Sequence, residues 1–182
     1  MTKLFWFIIV LLCLLVIVSS SGVTYYKNYP EEHPVVNLPL SLRQENYTEG
    51  GSCVWATTIS LLRWQGQYEL ADWIRKARSG GVFTSELFDT IDKAGLKFSS
   101  TNNGDVSFLE WACQTRRGAA IVINGGAHMV TLVDMDEYRV CILDNNSIEQ
   151  YKWLSRTVVL KEWKQSGGIA FTPVYSPASP LP

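Results

Sequence analysis

GGSCVWATTISLLRW, residues 50–64, carries the strongest structural signal in this sequence. A Gly-Gly-Ser turn leads into an apolar segment with helical period, which predicts a helix over residues 53–65 that ends at Gly66. Cys53 then lies where the turn becomes the helix. A thiol in this place faces unpaired backbone N–H groups and the positive end of the helix dipole, and both favour the thiolate. The position therefore predicts a nucleophilic cysteine.

Two residues further along the chain complete a pattern with this cysteine. His128 is the only histidine after Cys53, in GGAHMVTLVDMD, and Asp144 follows in VCILDNN. Their spacing suits two adjacent antiparallel strands whose side chains meet on one face. A cysteine, then a histidine, then a carboxylate is the chain order of a papain-like thiol site.

The two halves of the chain differ in hydrophobic period. Helices are predicted near residues 68–78 and 84–94, and from Ser107 to about 115, where Ser107 and Glu110 form a capping-box pattern. Strands are predicted at 97–101, 119–124, 128–135, 138–144, 148–154 and 168–172, with a helix near 157–165. Helices followed by an antiparallel meander predict one α+β domain with its cleft between the two halves.

The N-terminus is predicted to direct the chain to a membrane. Residues 4–18 form an uninterrupted apolar run, and counting through Val23 brings it to the roughly 20 residues that a membrane span needs. Residues 1–23 are therefore a signal peptide or an N-terminal membrane anchor, and the length slightly favours the anchor. The remaining predicted parts are an extended linker at 24–43, the folded domain at 44–172 and a Pro-rich disordered tail at 173–182.

The segment 44–172 resembles the papain-like cysteine peptidases that process bacteriocin leaders, a family known for removing double-glycine leaders. The matching pieces are Gln44, GSCVWAT, GGAHMVTLVD, CILDNN and the closing VVLKEWKQSGGIAF. The resemblance implies the papain-like α+β fold, with an N-terminal helical half packed on a C-terminal antiparallel sheet. It also implies a thiol hydrolase that needs no cofactor and acts on a peptide or protein substrate.

The same resemblance assigns the site residues. Cys53 would be the nucleophile, and His128 the general base that later protonates the leaving amine. Asp144 would orient the imidazole, with Asn145 as the alternative because papain uses an asparagine. In the family, a glutamine shortly before the cysteine helps to bind the oxyanion.

Gln44 is predicted to be that oxyanion donor. It lies further from Cys53 than the family's glutamine does, and Tyr47 occupies the family's position. A short insertion in the turn before Cys53 would reconcile the two spacings. Asn46 is the alternative donor.

The other cysteines and the charge balance limit the remaining possibilities. Cys113 and Cys141 either form a disulfide that leaves Cys53 free or are separate buried thiols. No Cys-x-x-Cys or His-x-x-x-His spacing indicates a metal site. The formal net charge is −1 and the sequence has no basic stripe, which argues against nucleic acid as a partner.

The expected function is an extracytoplasmic cysteine peptidase that hydrolyses peptide bonds through a Cys-His-Asp triad. One alternative is a catalytically silent peptide-binding module on the same fold. Another is a thiol-dependent cell-wall amidase or acyl transferase. The presence of Cys53, His128 and Asp144 argues against the silent module, because a binder does not need the thiol.

Overall fold

The structure is a computed structural model that describes residues 33–48 and 51–175. The predicted signal peptide or anchor, the first part of the linker and most of the predicted tail lie outside these ranges. By its contacts the chain divides after His33, and the compact unit described below begins at Pro34. Within the described ranges, no helix combines the length and the apolar character that crossing a membrane requires.

Across its described residues, the unit contains five α-helices and six strands. The helices are α1 Cys53–Trp64, α2 Tyr68–Ala77, α3 Leu87–Lys93, α4 Val106–Gln114 and α5 Arg156–Gln165. The strands are β1 Phe98–Thr101, β2 Ala119–Ile123, β3 His128–Met135, β4 Arg139–Asp144, β5 Ser147–Ser155 and β6 Ala170–Pro173. Short 3-10 turns cover Leu40–Leu42, Thr84–Glu86 and Asn124–Gly126.

The strands form one antiparallel sheet in the order β1-β6-β2-β3-β4-β5. Alternate residues of the central strands pack on opposite faces of it. One face, with Ala120 and Phe171, packs against α1, α2 and α3, and the other, with Ile121 and Ala170, packs against α4 and α5. The predicted meander of β2 to β5 is confirmed, but two helices cover the far face of the sheet and the last strand pairs inside it.

Helix α1 is the central helix of the unit. Ten of its twelve residues are buried, among them the polar Thr57, Thr58 and Ser60. The hydroxyls of Thr58 and Ser60 donate to the carbonyls four residues earlier, which satisfies these buried groups within the helix. The surroundings thus hold α1 on almost every side and fix the position of its first residue, Cys53.

The capping box predicted for the fourth helix is wrong. The N-cap of α4 is Asp105, whose carboxylate accepts from the Ser107 N–H at 3.0 Å. Glu110 instead accepts from Arg156 of α5 at 2.6 Å. Asp105 is the N-cap because its side chain reaches the N–H two residues ahead, whereas Ser107 already lies inside the helix.

The predicted boundaries of the folded domain also need correction. Val36 and Leu38, placed in the linker by the sequence, are fully buried against Trp64 and the sheet, and the Val36 N–H donates to Val133 O at 3.0 Å. At the other end, Pro173 completes β6 and is buried. The folded unit therefore begins near Pro34 and includes the first residue of the predicted tail.

This boundary predicts that truncating Leu38 destabilises the unit. Leu38→Ala should lower the free energy of unfolding by about 2–5 kcal/mol, because it removes a fully buried side chain and leaves a cavity. Val35→Ala is the matched control, since Val35 is 41% exposed and the change should cost less than about 0.5 kcal/mol. Urea unfolding measures both. If Leu38→Ala cost as little stability as Val35→Ala, the segment would be a linker, as the sequence predicted.

Candidate active site

Cys53 begins α1, as the sequence predicts, and the turn before it is tied to the preceding segment. The Ser52 hydroxyl accepts from the Tyr47 N–H at 2.8 Å and donates to the Asn46 carbonyl oxygen at 3.3 Å. The N–H of Cys53 is one of the helix's unpaired first-turn donors. The half-buried thiol therefore lies beside backbone donors at a fixed point.

His128 reaches the thiol through an unusual turn. It follows the Asn124–Gly126 turn, whose three residues all have positive φ. His128 then pairs with Ile123, the last residue of β2. Glycine adopts this backbone conformation without strain, which explains the Gly-Gly before the histidine. Two side chains hold the turn: Glu162 of α5 accepts from the Asn124 N–H at 3.1 Å, and Ser166, the residue after α5, accepts from the Gly125 N–H at 2.9 Å.

Asp144 lies next to His128 because their strands run in opposite directions. His128 is the first residue of β3 and Asp144 the last of β4, so both lie at the same end of the sheet. Nε2 of His128 lies 3.0 Å from Oδ1 of Asp144. The structure thus brings Cys53, His128 and Asp144 together in the arrangement that the sequence predicts.

The thiol and the imidazole interact in a way that favours their charged forms. Burial opposes ionisation of Cys53, but hydrogen bonds from His128 and from the Met129 and Val54 N–H groups outweigh it and lower the pKa of the thiol. The hydrogen bond with Cys53 raises the pKa of His128 against the effect of burial, and Asp144 adds to the rise. The two shifts bring the pKa of the thiol and the pKa of the imidazole towards each other, which favours a thiolate–imidazolium pair over the neutral pair.

Asp144 stays ionised beside this pair. Burial raises its pKa, but the Lys152 ammonium, the Asn146 N–H and His128 outweigh burial and lower the pKa to about 2. Because Nε2 of His128 is held by the carboxylate, Nδ1 is left to face the thiol. This fixes the orientation of the ring.

The side chain of Asn145, the alternative orienting residue, bonds to groups other than the His128 ring. Asn145 is buried, and its amide donates to Cys53 O at 3.2 Å, to Thr57 Oγ1 at 2.9 Å and to Met129 O at 2.8 Å. Asp144 is the last residue of β4 and meets His128, whereas Asn145 begins the turn to β5 and its side chain meets α1. Asn145 ties the start of α1 to the sheet.

Gln44 does not occupy the predicted oxyanion position. Its backbone N–H donates to Ser60 Oγ at 2.9 Å, and its side-chain oxygen accepts from Arg63 at 3.3 Å. At 1.5 Å per residue, Ser60 lies roughly 10 Å along the helix from Cys53. The Gln44 amide therefore contacts the distant half of α1, and its spacing from the cysteine does not reflect a simple insertion.

Asn46, the alternative oxyanion donor, has a side-chain amide that contacts the turn before the nucleophile. Its carbonyl oxygen accepts from Ser52, the residue before Cys53, and its amide nitrogen donates to Asn146. The Asn46 N–H also donates to Asn145 O at 2.9 Å. These contacts place Asn46 between the cysteine turn and the end of β4.

The possible disulfide between the other two cysteines does not form. Cys113 packs in the cluster that contains Val140, whereas Cys141 packs with Leu38 on the opposite face of the sheet, and both thiols are free. Burial raises the pKa of Cys141 to about 12 and raises that of Cys113 as well. Both are inert buried thiols, the second alternative that the sequence left open.

A cavity of about 110 Å³ opens beside the thiol and the imidazole. Its walls include three glycines and several aliphatic side chains: Gly51, Gly81, Gly126, Val82, Leu87 and Val122. In the described part of the chain, no cluster of three His, Cys, Asp or Glu side chains has the arrangement of a metal site. The cavity is therefore a narrow, mostly apolar space next to a nucleophile.

Sequence reasoning missed Lys152 as a part of this site. Its Nζ lies 2.8 Å from Oδ2 of Asp144. A lysine in a half-exposed strand ordinarily indicates a solvated face. Only the pairing of β4 with β5, which puts Lys152 opposite Ile142, shows that it reaches the carboxylate.

Comparisons with known proteins support the fold. No family model matches the sequence, and no curated protein matches it. A crystal structure described as a C39-like peptidase from Bacillus anthracis aligns with a TM-score of 0.60 and 17% identity, over 81% of this chain and all of that one. The peptidase domain of Streptococcus ComA, a bi-functional ABC transporter involved in quorum sensing, aligns with a TM-score of 0.51 and 17% identity, over 72% of this chain and 98% of the domain.

These alignments define the class of structure. The chain has the fold of the C39-like peptidase domains, which confirms the predicted papain-like α+β architecture.

Proposed function

We propose that this protein is a cysteine peptidase that hydrolyses peptide bonds through Cys53, His128 and Asp144. The observation that carries the proposal is the hydrogen-bonded chain from the thiol through His128 to Asp144, at the wall of a cavity. A half-buried thiol with a lowered pKa beside an oriented imidazole is the arrangement of an activated nucleophile.

The chemistry follows from the positions of these groups. The Cys53 thiolate adds to the carbonyl carbon of the scissile bond, and the carbonyl oxygen becomes an oxyanion. When this intermediate collapses, the C–N bond breaks and the His128 imidazolium gives its proton to the leaving amine. His128 then takes a proton from water, whose oxygen attacks the thioester and releases the acid and the thiolate. Asp144 stabilises the imidazolium throughout.

The oxyanion needs hydrogen-bond donors, and the structure supports two. The Cys53 N–H is free of an intrahelical partner because it opens α1. Asn46 is the side-chain candidate, because it contacts Ser52 in the adjoining turn.

Asn46→Ala should therefore lower kcat by roughly 10²- to 10³-fold with a smaller change in KM, as expected when one oxyanion donor is lost. Gln44→Ala is the matched control and should leave kcat within about threefold of the native value. If Gln44→Ala lowered kcat more than Asn46→Ala does, Gln44 would be the oxyanion donor, as the sequence predicted.

The cavity supports a preference for small or aliphatic substrate side chains. Glycines at 51, 81 and 126 contribute wall segments without side chains, while Val82, Leu87 and Val122 offer apolar contacts. A charged side chain there would lose its hydration without gaining a partner. Cleavage of a randomised peptide library should show this preference at the residues next to the scissile bond.

The test of the proposal is the reactivity of the three cysteines towards iodoacetamide across pH, followed by mass spectrometry. Cys53 should be alkylated at pH values where an ordinary thiol is still protonated, and much faster than Cys113 or Cys141. Hydrolysis of library peptides then separates a peptidase from a silent binder. Slow alkylation of Cys53 near neutral pH would refute the activated thiol.

We also propose that the peptidase unit acts outside the cytoplasm, with residues 1–23 as a membrane anchor. The apolar run at 4–18 supports this, as does the extra chain before the folded unit begins at Pro34. N-terminal sequencing of protein from membrane and soluble fractions of its native host tests it. A mature soluble chain that begins near Ser21 would indicate a secreted enzyme instead.

A further inference from the structure

The Asp144 carboxylate is held by a different group at each of its oxygens. Oδ1 lies 3.0 Å from Nε2 of His128 and accepts from the Asn146 N–H at 3.0 Å. Oδ2 lies 2.8 Å from Nζ of Lys152. The carboxylate is therefore bonded on both sides, and it cannot rotate without breaking one of these contacts.

The fold explains why Lys152 reaches this carboxylate. Strand β5 pairs with β4, with Lys152 opposite Ile142 and Ser147 opposite Asp144, and the register shifts between these two pairs. Residues of one parity face the same side of the sheet, so Lys152 lies diagonally across from Asp144 on that side. The side chain of Asp144 is 17% exposed and that of Lys152 is 38% exposed, so water screens the pair only in part.

We propose that Lys152 is a positioning residue of the site, which fixes the carboxylate that orients His128 and sets the pH range in which the thiolate–imidazolium pair exists. The proposal rests on the proposed function for the roles of Cys53 and His128. It adds a fourth member to the hydrogen-bonded chain: thiol, imidazole, carboxylate, ammonium.

The electrostatic consequence has a definite sign. Asp144 faces His128, Lys152 and the Asn146 N–H, and His128 faces Cys53 and Asp144. A nearby cation lowers the pKa of every group that it faces, because it disfavours the protonated form. Because Lys152 contacts Asp144 and lies further from the other two groups, loss of the ammonium should raise the pKa of the carboxylate most and those of the imidazole and the thiol by smaller amounts. The pH range in which the Cys53 thiolate and the His128 imidazolium coexist therefore moves to higher pH at both its acid and its alkaline end.

The experiment measures alkylation of Cys53 by iodoacetamide from acid to alkaline pH in the full chain. Iodoacetamide is uncharged, so a change of protein charge does not alter its attraction to the site. Lys152→Met should move both limits of the profile upward by about half to one pH unit. Lys152→Arg keeps the charge and should restore the native limits. Lys161→Met removes an exposed lysine of α5 and is the control for net charge.

A second measurement follows the carboxylate itself. Carbon-13 NMR of Asp144 should show a pKa near 2 in the native protein and a higher value in Lys152→Met. If Lys152→Met fails to fold, Lys152→Gln keeps most of the side chain and provides the same comparison. The proposal would be overturned if the alkylation profiles of Lys152→Met and Lys152→Gln kept the native acid and alkaline limits. It would also be overturned if Lys161→Met shifted these limits by the same amount.

The outcomes separate this proposal from the proposed function. Alkylation needs no substrate, so the role of Lys152 can be tested before any peptide is found. A native Cys53 without enhanced reactivity would refute the catalytic site. An enhanced Cys53 whose profile ignores Lys152 would refute only the positioning role.

Discussion

Cys53→Ala should abolish peptide hydrolysis while leaving the fold nearly unchanged. The thiol is the only group in the proposed site that forms a bond with the substrate, so its loss should lower kcat/KM by at least about 10⁴-fold. The side chain is small and half-buried at the start of α1, so the free energy of unfolding should change by less than about 1 kcal/mol. Turnover of library peptides and urea unfolding measure the two effects.

Cys113→Ala is the matched control, because it removes the same thiol group from a position in the core. It should keep native turnover and lose about 1 kcal/mol of stability through the small cavity that it creates. Residual turnover by Cys53→Ala, or inactivation by Cys113→Ala alone at full stability, would contradict the assigned nucleophile.

Substituting Asp144 and Asn145 should produce opposite patterns. Asp144→Ala should lower kcat/KM by roughly 10²- to 10⁴-fold, because His128 loses the carboxylate that orients it and stabilises its charged form. Asn145→Ala should instead lower stability by about 2 kcal/mol, because its buried amide donates to acceptors on both α1 and β3. Its kcat/KM should stay at least about tenfold above that of Asp144→Ala.

Asp144→Asn is the shape-conserving control for the first of these variants. It keeps the volume and removes the charge, so a comparable loss of turnover would assign the effect to the carboxylate. Thermal unfolding alongside the kinetics separates the two positions. If Asn145→Ala lost more activity than Asp144→Ala at equal stability, the orienting role would belong to Asn145.

Local patterns were sufficient for the elements and for the order of the reactive residues. Glycines with positive φ at 66 and 95 end α1 and follow α3, as the sequence predicts, because a left-handed residue stops a helix wherever the rest of the chain lies. Runs rich in β-forming residues, separated by short turns, located β2 to β5 for the same reason, since strand propensity and turn signals are properties of neighbouring residues. The prediction that Cys53 lies at the start of a helix needed only the sequence of its own segment.

Several features of the site depended on contacts between distant segments. Gln44 and Asn46 are nearly adjacent in the sequence, yet one contacts the far half of α1 and the other the cysteine turn. The path of the chain before Cys53 decides between them, and no local pattern encodes that path. The burial of Leu38 against the sheet likewise needs a partner surface that lies elsewhere in the chain.

The sequence alone predicted the kind of fold, Cys53 as the candidate nucleophile and the order of Cys53, His128 and Asp144, because the segment around each residue carries its own local pattern. The tertiary structure placed the Asp144 carboxylate against His128 and the Asn145 side chain against α1. It alone brought Lys152 to that carboxylate and inserted β6 between β1 and β2. These outcomes depend on which strands pair and in which register. Register is fixed by packing over the whole sheet, and a shift of one residue would turn each of these side chains to the other face.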